Sequence, residues 1–185
     1  MSYIFEQAEY EGLMYTEYKK YEFFSERAGE IKGRFSNKSI SILVAGCGVG
    51  YLIQELINMG YINVVGIDAS NWATSRAVVA SRTVKGDIFV STDLQKCKTL
   101  AGLKGGQKFD ICITEDVLPC CYSENEVKQM VQSLKTISTT VFHIITCGNQ
   151  TDDFRHPSLL WRTSQQWKQI IGNDLILDVE TRVVV

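Results

Sequence analysis

The chain has 185 residues, 45% of them hydrophobic and 22% charged, with a formal net charge of -2. That length suits one domain with a sizeable core, and the charge balance provides no basic field to draw nucleic acid in general. No run is long and apolar enough to cross a bilayer, so neither nucleic acid nor a membrane is expected as a partner.

Residues 1–15 are polar and aromatic without a clean period. From Tyr18 a helical stripe follows, with Tyr21, Phe24, Ala28, Ile31 and Phe35 at alternating steps of three and four. Gly33 and "SNKS" then punctuate the chain. "SISILVA" is an apolar, β-branched run and predicts a first strand. "YLIQELINMG" places Leu52, Leu56 and Met59 on one helical face and stops at Gly60. "INVVGID" predicts the second strand, and "NWATSRAVVASR" a helix capped by Ser70 or Asn71. "DIFVST" predicts strand three, "LQKCKTLAGL" a short helix, and "FDICIT" strand four. "SENEVKQMVQSLKTI" opens with Ser123 and Glu126 at the capping-box spacing. "TTVFHIIT" predicts strand five, "TSQQWKQII" a helix capped by Thr163 or Ser164, and "DLILDVETRVVV" a final strand. Strands that alternate with helices and read as buried on both faces imply an α/β fold, Rossmann-like and doubly wound, with a mainly parallel sheet. Ligands in such sheets bind beyond the carboxyl ends of the strands, where the strand order reverses.

The six cysteines are Cys47, Cys97, Cys112, Cys120, Cys121 and Cys147. None forms a C-x-x-C pair and there are two histidines, so no metal site is expected. The opening "MSYIFEQAEYEGLMY" lacks a basic n-region and an apolar core, so no export signal is expected. The thiols accordingly read as reduced, in a cytoplasmic protein. The adjacent Cys120 and Cys121 leave a redox or metal pair as the alternative to packing.

The first strand runs straight into Gly46, Gly48 and Gly50. Glycines at that point let the backbone turn sharply and touch a ligand, and the following helix offers amide groups to polar ligand atoms. A P-loop is excluded because no Gly-Lys-Ser/Thr follows. A dinucleotide fingerprint needs a glycine at position 51, where Tyr51 stands. Asp68 ends the second strand at the distance of about 20 residues expected for an acid that binds ribose hydroxyls. The alternative is that Asp68 only caps the next helix.

"ILVAGCGVGYL", "VVGIDASNWA", "STDL" and "FDICITEDVL" together resemble the successive motifs of the class I S-adenosylmethionine-dependent methyltransferases, most closely the small-molecule branch. The resemblance covers about residues 20–180. It implies a helical lid segment over residues 1–35 and a cofactor-binding domain over 36–185. It implies S-adenosylmethionine as cofactor and a small-molecule methyl acceptor as partner. By the same resemblance Ala45, Gly46 and Gly48 line the cofactor's amino-acid moiety, and Gly50 lets the helix start close by. Asp68 holds the ribose, Ala69 and Ser70 border the adenine, and Asp93, followed by Leu94, accepts from the adenine amino group. Thr114, Glu115 and Asp116 would lie under the methyl donor, with Glu115 counted among the cofactor-binding residues. Trp72 either shields the adenine or packs in the core.

Methyl transfer from a sulfonium needs mainly in-line alignment and exclusion of water. A base is needed only if the acceptor must lose a proton early. His143 lies inside strand five and reads as a core residue. His156, in the polar connection "NQTDDFRHPSLLW", is the candidate to orient or deprotonate an acceptor, and Tyr18 is the candidate from the lid. Two departures from the family pattern stand out. "DVLPC" carries Pro119 and Cys120 where the family often has another residue and then His, and no turn divides the final strand into the usual hairpin. The sheet edge left by a truncated hairpin would favour pairing with a second copy. The alternatives to catalysis are a domain that binds the cofactor or its product without turnover and, against Tyr51, a nicotinamide-dependent oxidoreductase.

Overall fold

The computed structural model describes residues 21–147, 160, 162–172 and 175–180. The first described element is helix α1 (Tyr21–Arg34), followed by β1 (Ser41–Ala45), α2 (Tyr51–Asn58) and β2 (Asn63–Asp68). Then come α3 (Asn71–Ser75), a 3-10 turn at Ala80–Arg82, β3 (Thr83–Lys85), α4 (Ser91–Leu100) and β4 (Phe109–Glu115). A second 3-10 turn at Leu118–Cys120 precedes α5 (Glu124–Ile137), β5 (Ser138–Cys147), α6 (Ser164–Ile171) and β6 (Leu175–Glu180).

The six strands form one sheet in the order β3-β2-β1-β4-β5-β6. Every pairing is parallel, from Ser41↔Asn63 between β1 and β2 to Phe142↔Leu175 between β5 and β6. The order reverses between β1 and β4, whose register runs from Ile42↔Ile111 to Ala45↔Thr114. This reversal puts the glycine turn after β1 at the switch point of the sheet.

Alternate residues of each strand feed two cores. Leu43, Ala45, Val65 and Ile67 point toward α4, α5 and α6, where Cys97, Leu134 and Trp167 are fully buried. Ile42, Val44 and Val64 point the other way, onto Phe24, Ala28 and Ile31 of α1 and Leu52, Ile53 and Leu56 of α2. The expected stripe of α1 is thus the face that packs, and Phe35, just past its end, meets Phe142 edge-on at 6.1 Å. Two helices start as their sequences dictate. Ser123 accepts the Glu126 N–H at 3.2 Å, and Thr163 with Gln166 forms a full capping box at the start of α6.

The segment between β2 and α4 departs from expectation in two ways. The helix at "NWATSRAVVASR" ends at Ser75, and strand three is Thr83–Lys85 instead of "DIFVST". A short apolar run can serve a strand or a buried turn, and here Gly86 and Asp87 turn the chain. Ile88 is buried from within that turn, and α4 begins at Ser91. Thr83 and Val84, both β-branched, supply the strand beside Gly66 and Ile67. The final strand pairs directly with β5 along Phe142–Cys147.

Candidate functional site

The turn after β1 is fastened to β2 by its own backbone. The Gly46 N–H donates to Ile67 O at 2.8 Å, and the Cys47 N–H donates to the same oxygen at 3.1 Å. Gly46, Gly48 and Gly50 have φ of 72°, 54° and 86°, the left-handed region that disfavours any residue with a Cβ. At Gly46 space adds to the constraint, since a Cβ would stand 2.2 Å from Val117 Cγ2. Gly46 therefore lets the loop after β4 settle onto the turn. In β2, a Cβ on Gly66 would meet Ile53 Cδ1 at 2.4 Å and Cys47 Sγ at 2.7 Å. Close approach of the first helix to the sheet is the task of the third glycine of a dinucleotide fingerprint. Here Gly66 performs it, while Tyr51 at the fingerprint position packs, tilted, against Phe24 of α1 with ring centres 5.5 Å apart.

Asp68, at the end of β2, accepts the Gly48 N–H at 2.7 Å through Oδ2 and the Ser70 N–H at 2.8 Å through Oδ1. Ser70, fully buried, is the cap of α3 and accepts the Ala73 N–H. The helix cap is therefore Ser70, and Asp68 ties the glycine turn to the start of α3. Ala45, Gly46, Gly48, Gly50, Asp68, Ala69 and Ser70 all lie at the carboxyl ends of β1 and β2, as one continuous rim. Trp72 is buried, with the Arg76 guanidinium 4.6 Å above its ring.

Asp93 and Leu94 fall in the first turn of α4. Leu94 is buried in the core. The Asp93 carboxylate accepts from Lys96 Nζ at 2.6 Å and from the Asp87 N–H at 3.1 Å. These two donors, Lys96 foremost, hold its pKa below the ordinary carboxylate value. Asp93 therefore braces the turn between β3 and α4. The acid that directly follows β3 is Asp87, whose Oδ1 accepts the Phe89 N–H at 2.8 Å. The expected strand "DIFVST" covers this acid, and the signal for its position at the strand end is the "GD" turn after "TVK".

The end of β4 is polar in apolar surroundings. Thr114 and His143 are fully buried, with Thr114 Oγ1 and His143 Nδ1 2.7 Å apart, so His143 is a core residue as expected. Glu115 points to α1, and its Oε1 lies 3.6 Å from Arg27 Nε, both side chains nearly buried. Burial, then the neighbouring Asp116, push the Glu115 carboxyl up to about 8, against the opposing pull of Arg27. Asp116 has φ 50°, the one non-glycine in the left-handed region among the described residues. Its N–H donates to Ile144 O at 2.9 Å. In the following turn the Cys120 thiol donates to Asp116 O at 3.4 Å. Cys120 is buried, and burial foremost pushes that thiol far above its usual pKa, as for a packed thiol. Among the described residues no group of three or more His, Cys, Asp or Glu could hold a metal ion. No helix among them is long and apolar enough to cross a membrane. His156 and Tyr18 lie outside the described residues.

No family model matches the chain, and no curated protein is similar to it in sequence. Solved structures are similar to it in fold. Magnesium protoporphyrin IX methyltransferase from Synechocystis PCC 6803 with bound S-adenosylmethionine matches at a TM-score of 0.57 and 18% identity, over 83% of this chain and 67% of that one. The [4+2]-cyclase SpnF matches at 0.60 and 14%, over 80% and 54%. CalS10, an amino pentose methyltransferase from Micromonospora echinaspora, also with bound S-adenosylmethionine, matches at 0.52 and 15%, over 76% and 55%. The chain thus spans between about half and two-thirds of these proteins. The parallel sheet with its flanking helices is a Rossmann-like α/β fold, which the chain shares with these S-adenosylmethionine-dependent methyltransferase structures.

Proposed function

We propose that the chain binds S-adenosylmethionine across the carboxyl ends of β1 and β2 and transfers its methyl group to a small-molecule acceptor. The observation that carries this reading is Asp68. One carboxylate is anchored to the glycine turn through Gly48 and to α3 through Ser70. Asp68 thus stands at the carboxyl end of β2, 20 residues beyond Gly48, where an acid that binds ribose hydroxyls is expected in this fold. Ala45, Gly46, Gly48 and Gly50 would receive the amino-acid moiety, and Ala69 and Ser70 would border the adenine. Asp87 stands nearer than Asp93 to the carboxyl end of β3, and we assign the adenine amino group to it.

The cofactor, when bound, supplies an already activated methyl group. The chain's own part is to hold the acceptor in line and keep water out. Val117, seated on Gly46, and the turn Leu118–Cys120 close one side of the rim with apolar atoms. His156 and Tyr18 remain the candidates to orient or deprotonate the acceptor.

A melting experiment with S-adenosylhomocysteine, NAD and ATP tests the cofactor. Stabilisation should follow ligand concentration over its dissociation constant for S-adenosylhomocysteine alone. A shift with NAD and none with S-adenosylhomocysteine would overturn the reading. Radiolabelled donor with a metabolite extract then tests turnover. A second reading, cofactor binding without methyl transfer, is favoured by the match to a [4+2]-cyclase, since one fold hosts unrelated chemistries. Bound cofactor without labelled product would select it.

A further inference from the structure

Helix α1 packs its apolar stripe on the sheet far along its length, yet it also sends one charged side chain to the rim. Arg27 lies on α1 at the flank of the buried stripe formed by Phe24, Ala28 and Ile31. Its Nε reaches 3.6 Å from Glu115 Oε1, and both side chains are nearly excluded from solvent. Glu115 Oε1 makes no hydrogen bond among the described residues. That separation is beyond hydrogen-bond length, so Nε and Oε1 face each other at ion-pair distance without a hydrogen bond between these two atoms. We propose that Arg27 is a positioning residue: from α1 it holds the Glu115 carboxyl at the end of β4, so that docking of α1 becomes part of the ligand site. This rests on the S-adenosyl reading of the rim.

The neighbourhood explains why one arginine decides the matter. The charged groups acting on Glu115 are Asp116, which raises its pKa, and Arg27, which lowers it. From β5 the register places Ile144 opposite Glu115 and His143 opposite Thr114, with the imidazole turned to the Thr114 hydroxyl. The Glu115 carboxyl therefore takes its direction from α1, and Arg27 lowers the pH at which it ionises. Without Arg27, burial and Asp116 act unopposed and the carboxyl keeps its proton to higher pH.

The sign on stability follows. The folded chain holds a proton on Glu115 between the ordinary value of 4.5 and about 8, where the unfolded chain has lost it. Stability from this group is therefore present below 4.5 and falls as pH rises toward 8.

Two measurements on the full chain test the proposal. The first needs no ligand. The Glu115 carboxyl is titrated by carbon NMR, with Glu115→Gln assigning the resonance. The midpoint should lie near 8 in the wild type, rise by about one pH unit in Arg27→Gln, and return toward the wild-type value in Arg27→Lys. An unmoved midpoint in a folded Arg27→Gln overturns the proposal. The second is calorimetric binding of S-adenosylhomocysteine, a zwitterion without a sulfonium, so that loss of the arginine charge has little direct effect on it. Arg27→Gln should weaken binding roughly three- to tenfold in the wild-type background and hardly at all in the Glu115→Gln background, since interacting residues are non-additive. Equal losses in both backgrounds would show that Arg27 acts without Glu115 and overturn the proposal. If the wild type binds no S-adenosylhomocysteine, the proposed function falls, and the ligand-free titration still decides whether Arg27 holds Glu115.

Discussion

The two ends of β1 are built to opposite rules. At the amino end, Ser41 and Asp110 are mutually satisfied: Ser41 N–H and Oγ donate to Asp110 Oδ2 at 2.7 and 2.9 Å, and the Asp110 N–H returns to Ser41 Oγ at 3.0 Å. Nearby, the Tyr61 hydroxyl donates to Phe35 O, and Lys38 Nζ sits 3.6 Å from the centre of the Tyr61 ring. At the carboxyl end the backbone is left-handed at three glycines and at Asp116, and Glu115 is an acid in apolar surroundings. Costly conformations and poorly solvated carboxyls are tolerated where the surrounding fold over-determines them, and such places are where ligands are handled. The amino end closes the fold, and the carboxyl end spends some of that stability on shape and charge.

The sharpest way to break this contrast is Gly46→Val. It adds left-handed strain and an overlap with Val117, together roughly 2–5 kcal/mol. Urea unfolding should show the loss, and adding Val117→Ala should restore the packing part but not the strain. Next in size, Asp68→Ala removes a charged acceptor from two amides and should cost about 1.5–3 kcal/mol, with loss of S-adenosylhomocysteine binding by calorimetry. Full binding by a folded Asp68→Ala chain would reduce Asp68 to a structural tie. At the other end, Asp110→Ala should cost about 1–2 kcal/mol of stability and leave S-adenosylhomocysteine affinity unchanged. A drop in affinity there would erase the distinction between the two ends. The smallest effect is Lys38→Met, about 0.5–1 kcal/mol from the lost cation–ring contact, read as a small fall in urea midpoint with binding intact.

Much of the frame was legible because it is written locally. β1, β2 and β4 are apolar runs, α5 and α6 carry their caps in sequence, and the glycine turn and Asp68 stand at a recognisable spacing. What was not legible depends on proximity across the fold. Gly66 looks like any strand glycine until Ile53 and Cys47 are brought onto it, and nothing near Gly46 in the sequence announces Val117. The Arg27–Glu115 contact joins residues far apart in sequence, and Arg27 reads locally as the solvated side of a helix. β3 differs from its expected place for another reason. Three residues carry too little pattern to outweigh the apolar "DIFV", which serves a buried turn.

The pairing of β1 with β4 also governs how the chain must assemble. Ser41 and Asp110 are 69 positions apart, and Ile42 meets Ile111 beside them. Closing so long a loop precedes any reward from the contact, which slows folding of parallel sheets. The switch point therefore does not exist in any fragment ending before β4. A nascent chain carries the whole glycine turn and Asp68 without a ligand site, and the site comes into being in the same cooperative step as the centre of the sheet. The Gly48 amide, donated to Asp68 across that turn, should accordingly exchange its hydrogen only when the sheet as a whole opens.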